Sequence, residues 1–453
     1  MFTTKVVHIL VGLVWLVSAA EPARLAAQQP TDRLITSLQS RVKMYPQDYA
    51  VYDQLGAAYI QKGRETGDAT YYELAKESLG RSLDLVNHDP AAASAKTHLA
   101  VVAMAEHRFE DALKWANDAL AVGSGDPSPW AIVGDAYTDL GRYDEAQAAY
   151  AKLRDLDQSD DPASGIAYER ESRLAYLRFI SGDPETAVEL MRHAIQTAMA
   201  LHMPAENIAW SDYQLGEICF KSGDLTAAEQ AYQAGLAADP GSYRNLAGLA
   251  EVRAAQHRFE DAINLDQRAI GVIPYPMFAA ALYDLYLKVG RPADAAKQRD
   301  LIEFIGNLNP INQRLFYRDL ALFYADHDMK RKESLELAKD ELKVRQDVYT
   351  WDIMAWVLYK NRRYQEAEAA VARALRAGTR DALLYYHAGM IYRQVGDRAK
   401  ADSYLGKALA TNRQFHIFYA DDAARIVDMD GQIAERGQNG RGTERRKSVR
   451  MQF

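Results

Sequence analysis

The sequence predicts an all-α chain, a solenoid of about ten helix–turn–helix units stacked along one axis. Three observations predict it. The first is a pattern of large and small residues, clearest in 127–160: Trp130, Val133, Gly134 and Tyr137, then Gly141, Tyr143, Ala146, Tyr150 and Leu153. The second is phase: Leu215-Gly216 recurs as Leu249-Ala250, Ala228 as Ala262 and Pro240 as Pro274, each 34 residues on. Trp351 and Ala367 likewise return as Tyr385 and Ala401. The third is turn chemistry. Gly141, Gly182, Gly223, Gly290 and Gly396 stand where a first helix must end in the left-handed region, and Pro240 and Pro274 forbid continuation of a second helix.

In chain order, 1–20 carries Lys5, the apolar run Val6–Val17 and then Ser18-Ala19-Ala20. A basic start, a short apolar centre and small residues describe a secretory signal peptide, and the run falls short of the roughly 20 residues that span a bilayer. Cleavage is expected after Ala20, or after Ala27, with an uncleaved N-terminal membrane anchor as the alternative. Residues 31–45 place Leu34, Ile35, Leu38 and Val42 at helical spacing and are expected to cap the stack. The repeat array is expected over 48–415, irregular near 199–208 and 326–333. Its first unit carries an insertion, expected as a loop over Gly63–Thr70. A second capping helix is expected over 416–436, and 437–453 reads as a disordered basic tail.

Composition narrows the class. The 453 residues are 48% hydrophobic and 26% charged, which excludes wholesale disorder. From the formal −8 of the whole chain, removing Lys5 and the +5 of 436–453 leaves −14 on the body. The lone cysteine, Cys219, excludes an internal disulfide framework and falls at a core position of a first helix.

These spacings resemble the tetratricopeptide repeat (TPR) family over nearly the whole body of the chain. The segment Arg64–Asp68 and the run Asp347-Val348-Tyr349-Thr350-Trp351-Asp352 further resemble large exported bacterial TPR proteins of unknown role. The resemblance implies a right-handed superhelix whose first helices face a concave groove that binds extended peptides or partner helices. Carried onto this sequence, the groove positions are Tyr176, Phe179, Trp210, Tyr213, Glu217, Phe220, Tyr349, Asp352, Trp356, Tyr359, Tyr386, Met390 and Arg393. Large aromatics bury about 150–250 Å² each, so three or four exposed together would exceed the apolar patch of an ordinary monomer. A partner or a neighbouring repeat must cover them. The Lys/Asn/Arg set of chaperone-binding repeats is absent, and acids among aromatics point to a neutral or basic peptide segment.

No catalytic site, cofactor or metal is expected. The sequence holds no phosphate loop, dinucleotide fingerprint, nucleophile elbow or His-Glu-x-x-His. Asp326-His327-Asp328 is the most ligand-like cluster and lacks a second His or Cys nearby. Acidic pairs such as Asp144-Glu145 and Glu260-Asp261 open second helices, where they complement the helix dipole. The expected function is a non-enzymatic, exported (periplasmic or extracellular) scaffold or adaptor for protein or peptide partners, with a role in envelope assembly. The alternatives are a self-associating structural protein and an accessory component of an enzyme complex. Nucleic acid is not an expected partner, and the basic tail is a candidate contact for an anionic membrane surface.

Overall fold

The computed structural model describes residues 30–86, 90–123, 125–156, 164–307 and 315–429. The expected signal segment, the basic tail and residues 430–436 lie outside them. Among the described residues there is no strand, and no helix is long and apolar enough to cross a membrane.

Helix α1 (Pro30–Met44) leads into successive antiparallel hairpins. Units one to five are α2 (Tyr49–Thr66) with α3 (Thr70–Val86), α4 (Ala92–Ala105) with α5 (Phe109–Ala121), α6 (Ser128–Asp139) with α7 (Tyr143–Leu156), α8 (Gly165–Ile180) with α9 (Pro184–Ala200), and α10 (Ala205–Lys221) with α11 (Leu225–Ala238). Units six to ten are α12 (Tyr243–Ala255) with α13 (Phe259–Val272), α14 (Pro276–Lys288) with α15 (Pro292–Asn307), α16 (Tyr317–Asp326) with α17 (Arg331–Val344), α18 (Val348–Lys360) with α19 (Tyr364–Ala374), and α20 (Ala382–Val395) with α21 (Arg398–Thr411). A last helix, α22, covers 419–429.

Local chemistry explains the hairpins. Asp183, Asp224, Asp347 and Asp397 each accept a hydrogen bond from the backbone N–H three residues on and so cap a helix start. Between first and second helices the chain turns through positive φ, at Gly141 (71°) and Gly223 (90°) but also at His107 (54°), His257 (59°) and Arg362 (60°). Small residues then let the two helices of a unit close. A Cβ on Gly134 would overlap the ring of Tyr150, and one on Gly216 the ring of Tyr232.

The insertion in the first unit departs from expectation. Helix α2 continues through Thr66, and residues 67–69 suffice to turn the chain at Gly67 (φ 69°). Gln61, Lys62, Arg64 and Glu65 are good helix formers. Two of them gain partners from the extra turn: Lys62 reaches Asp32 on α1 at 2.7 Å, and Arg64 reaches Glu206 on α10 at 2.8 Å.

That second contact belongs to a set that closes the superhelix on itself. The turns of units three, four and five meet the loops that follow units eight, nine and ten. Gln346 N–H donates to Asp139 O at 2.9 Å, Thr379 Oγ1 to Ile180 O, and Asn412 Nδ2 to Phe220 O at 2.9 Å. Each acceptor is a carbonyl at the C-terminal end of a first helix, a group left without a partner inside its own helix. Beside these bonds, Gly141, Gly182 and Gly223 press against the backbone of Gln346, Gly378 and Thr411. A further contact joins the turn of unit one, Gly67 O, to Tyr275 Oη at 3.3 Å. The partners advance by one unit at each step, so a superhelical turn takes between five and six units.

A candidate binding channel inside the superhelix

Because successive turns touch, the concave face is the wall of an internal channel, and its two halves differ. In the C-terminal half the chain fills its own channel. After α21 the segment 412–418 and helix α22 run across the first helices of units seven to ten. Lys288 on α14 donates to Ile417 O at 2.7 Å and lies 3.3 Å from Asp421. Tyr419 donates to Asp326 at 2.7 Å and stacks on Tyr386 with centroids 4.8 Å apart, while Tyr386 donates to Asp422 at 2.9 Å. Trp356 donates its indole N–H to Asp326 at 2.7 Å and is sandwiched between Tyr359 and His387, at 4.9 and 4.3 Å. Phe415, Ala423 and Ile426 are buried in the same core.

The groove assigned from the sequence to Trp356 and Tyr386 is therefore occupied by the chain itself, and each is only 2% exposed. The physical reason is the one that flagged them: clustered rings must be covered, and 412–429 covers them. Asp352 holds buried His387 at 3.0 Å. Met390 packs against this core, and Arg393 is half-buried on the same helix.

Phe179 has a different fate. It is buried between turns of the superhelix with Ile180, Ile218, Val348 and Leu384. Tyr349 donates to Asp381 at 3.2 Å, under the Lys221 ammonium at 5.1 Å. Glu217 accepts from Tyr232 at 2.7 Å and pairs with Lys221 at 3.3 Å. Tyr213 tilts on Tyr232, and Phe220 lines a small space shared with Glu251 and Phe415. Glu251 is reached by solvent along the channel, yet burial among its walls and the charge of Glu217 push its carboxyl up to about 7.

In the N-terminal half the channel stays open as a cavity of about 460 Å³. First helices of units two to six, the end of α2 and the loop at Asp347 enclose it, and Tyr176 and Trp210 are on its wall with Tyr72 and Tyr168. Its acids are matched internally. Asp135 takes Arg173 (2.9 and 3.0 Å) and Tyr150 (2.8 Å), Glu169 pairs with Arg173, and Glu206 pairs with Arg64. Asp139 lies 3.1 Å from Arg345 and Asp347 lies 3.2 Å from Arg318. Burial still pushes Asp139 up to about 6. Burial also raises Asp347, but Arg318 and Arg345 outweigh it and hold that carboxyl below its ordinary range.

Sequence reasoning missed Arg64, Arg173 and Arg244, all on the cavity wall. Arg64 reaches it only because α2 is longer than expected. For Arg173 and Arg244 the sequence offered a charge on a first helix and no sign of which way it points. His193 has Glu189 four residues before it on its own helix, yet it pairs with Glu171 on the neighbouring helix. Among the described residues no group of three or more His, Cys, Asp or Glu is placed to hold a metal ion. Burial raises the Cys219 thiol to about 11, an inert core position.

Two sequence models described as tetratricopeptide repeats match the chain, one over 173–243 and 213–276, the other over 128–160 and 382–415. No curated protein shows significant sequence similarity to it. Among solved structures it is similar to yeast Tom70, at 13% identity over 90% of this chain and 93% of that one, with a TM-score of 0.40. It is also similar to human IFIT1, solved as a dimer with PPP-AAAA (15% identity, 84% and 94% covered, TM-score 0.42). YrrB, described as a TPR protein with an unusual peptide-binding site, matches at 19% identity over 46% of this chain and 96% of its own, with a TM-score of 0.29.

Proposed function

Taking as its premise that the chain is a tetratricopeptide-repeat protein, we propose that it is a non-enzymatic scaffold that captures an extended peptide segment of a partner protein inside its first superhelical turn. The observation that carries this reading is the open cavity of about 460 Å³ with Trp210 on its wall. That volume lies within the range of about 300–1,000 Å³ of specific ligand sites. Among the described residues the indole N–H of Trp210 has no hydrogen-bond partner, so the ring offers an apolar face and a donor together. Units seven to ten provide a framework whose own channel is filled.

Export and a place in envelope assembly belong to this reading through segment 1–20 and its cleavage signals. They require that protein recovered outside the cytoplasm be shorter by 20 or 27 residues; full-length protein confined to the cytoplasm would sink them.

The binding reading is tested by screening the full chain against an array of extended peptides, then repeating the titrations with Trp210→Ala. A buried aromatic anchor contributes about 2 kcal/mol or more, so affinity should fall at least about 30-fold while the far-ultraviolet spectrum is unchanged. Peptides that bind Trp210→Ala as tightly as the parent protein would place recognition elsewhere.

A further inference from the structure

The cavity has one corner whose chemistry is not balanced. Arg244, at the start of α12, points into it half-buried and makes no ion pair or hydrogen bond with any described residue. Its guanidinium lies over the ring of Tyr243 at 4.5 Å. That contact holds the group against an aromatic ring and leaves its N–H donors, the part that recognises oxyanions, without an acceptor among the described residues. Nearby, Arg64 and Glu206 neutralise each other at 2.8 Å, so the corner keeps one positive charge. The other wall acids are engaged by Arg173, Arg318 and Arg345.

Two further donors stand on the same wall. Tyr72, pushed up to about 12 by burial and the neighbouring Tyr243, remains a neutral hydroxyl. Among the described residues neither it nor the Trp210 indole N–H has a hydrogen-bond partner. An arginine edge, a hydroxyl and an indole N–H on one cavity wall can all donate to a carboxylate, with the buried Asn207 Oδ1, which has no hydrogen-bond partner among the described residues, as the acceptor on the same wall.

We propose that Arg244 makes this corner a receptor for a carboxylate on the captured peptide, an acidic side chain or a free C-terminus. This rests on the cavity being the recognition surface, and it inverts the sequence-based expectation of a neutral or basic ligand. The acids of the cavity wall are engaged by arginines, Arg173 serving both Asp135 and Glu169, and Arg244 is the wall arginine that has no carboxylate partner among the described residues.

Isothermal titration of the full chain with three probes tests it: N-acetyl-Ala-Ala-Trp-Ala with a free carboxylate, the same peptide as its C-terminal amide, and N-acetyl-Ala-Glu-Trp-Ala amide. The wild-type protein should prefer at least one acid-bearing probe over the plain amide by tenfold or more, and which one identifies the source of the carboxylate. Arg244→Gln should abolish the preference, and Arg244→Lys, which keeps the charge without the fork, should retain part of it. Equal binding of all three probes by the wild type overturns the inference whether or not the variants fold. If that equal binding is lost in Trp210→Ala, the cavity reading survives alone. A preference that persists in folded Arg244→Gln also overturns the inference, and no binding of any probe overturns it together with the cavity reading.

Discussion

At the scale of single residues, burial decides behaviour that residue type alone does not. Asp212 on α10 is only 5% exposed, and burial alone pushes its carboxyl up to about 7. A carboxyl whose folded-state pKa is raised favours the fold when protonated. Its contribution is fully present below the unfolded value near 3.8 and is lost as pH rises through about 7. Replacing it by the neutral amide should therefore leave stability nearly unchanged at pH 4. At pH 8, Asp212→Asn should stabilise by roughly 2–4 kcal/mol, given 1.36 kcal/mol per pK unit. Urea midpoints of the two proteins across this range provide the check, and a constant offset between them would contradict the assignment. Arg244 illustrates the same principle in reverse. Its type gave no sign of where it points, and its position makes it an arginine of the cavity wall with no carboxylate partner among the described residues.

At the scale of elements, most of the hairpins follow from local rules: an Asp cap, a turn through positive φ, and glycine facing tyrosine across the pair. These are short-range and were legible in the sequence. The length of α2 was not, because its extra turn is held by Asp32 and Glu206, one on another helix and one on another unit. Helix α22 was legible as a helix at its described positions, whereas its bed was not. It lies across units seven to ten and covers the aromatics that would otherwise form a groove. The double change Trp356→Ala with Tyr386→Ala should act on stability, since truncating buried aromatics costs about 3–5 kcal/mol each before any coupling. Hydrogen exchange should rise in units eight to ten while Trp210-dependent peptide capture persists. Loss of capture without faster exchange would restore those residues to the binding surface.

For the whole molecule, closure depends on a few backbone contacts between distant units. Gly182 tests it: its φ is 84° and a Cβ there would overlap the Gly378 carbonyl. Gly290 has nearly the same φ, 74°, with open space around it. Alanine at Gly290 meets only the left-handed strain, about 1 kcal/mol, whereas alanine at Gly182 must also part the two turns. Small-angle scattering should show a larger radius of gyration for Gly182→Ala than for Gly290→Ala, at equal helicity. Equal radii would mean that closure does not depend on this contact. Opening the superhelix would also widen the channel, so closure and the shape of the cavity are one property.

The sequence by itself determined the repeat, its period, its turns and the likeness to TPR proteins, because each depends on residues within about one period of one another. It also proposed first-helix positions for a groove, of which Phe179 packs between turns instead. Tertiary structure decided what those positions meet. Gln346 and Asp139, or Thr379 and Ile180, are brought together by small rotations accumulated over five units, and no local pattern records that sum. Those contacts turn a groove into a channel, the chain's own end fills one half, and arginines from three units consume the acids of the other. The aromatic residues were visible from the start. Which of them remain free, and which charge remains uncompensated beside them, followed only from the closed fold.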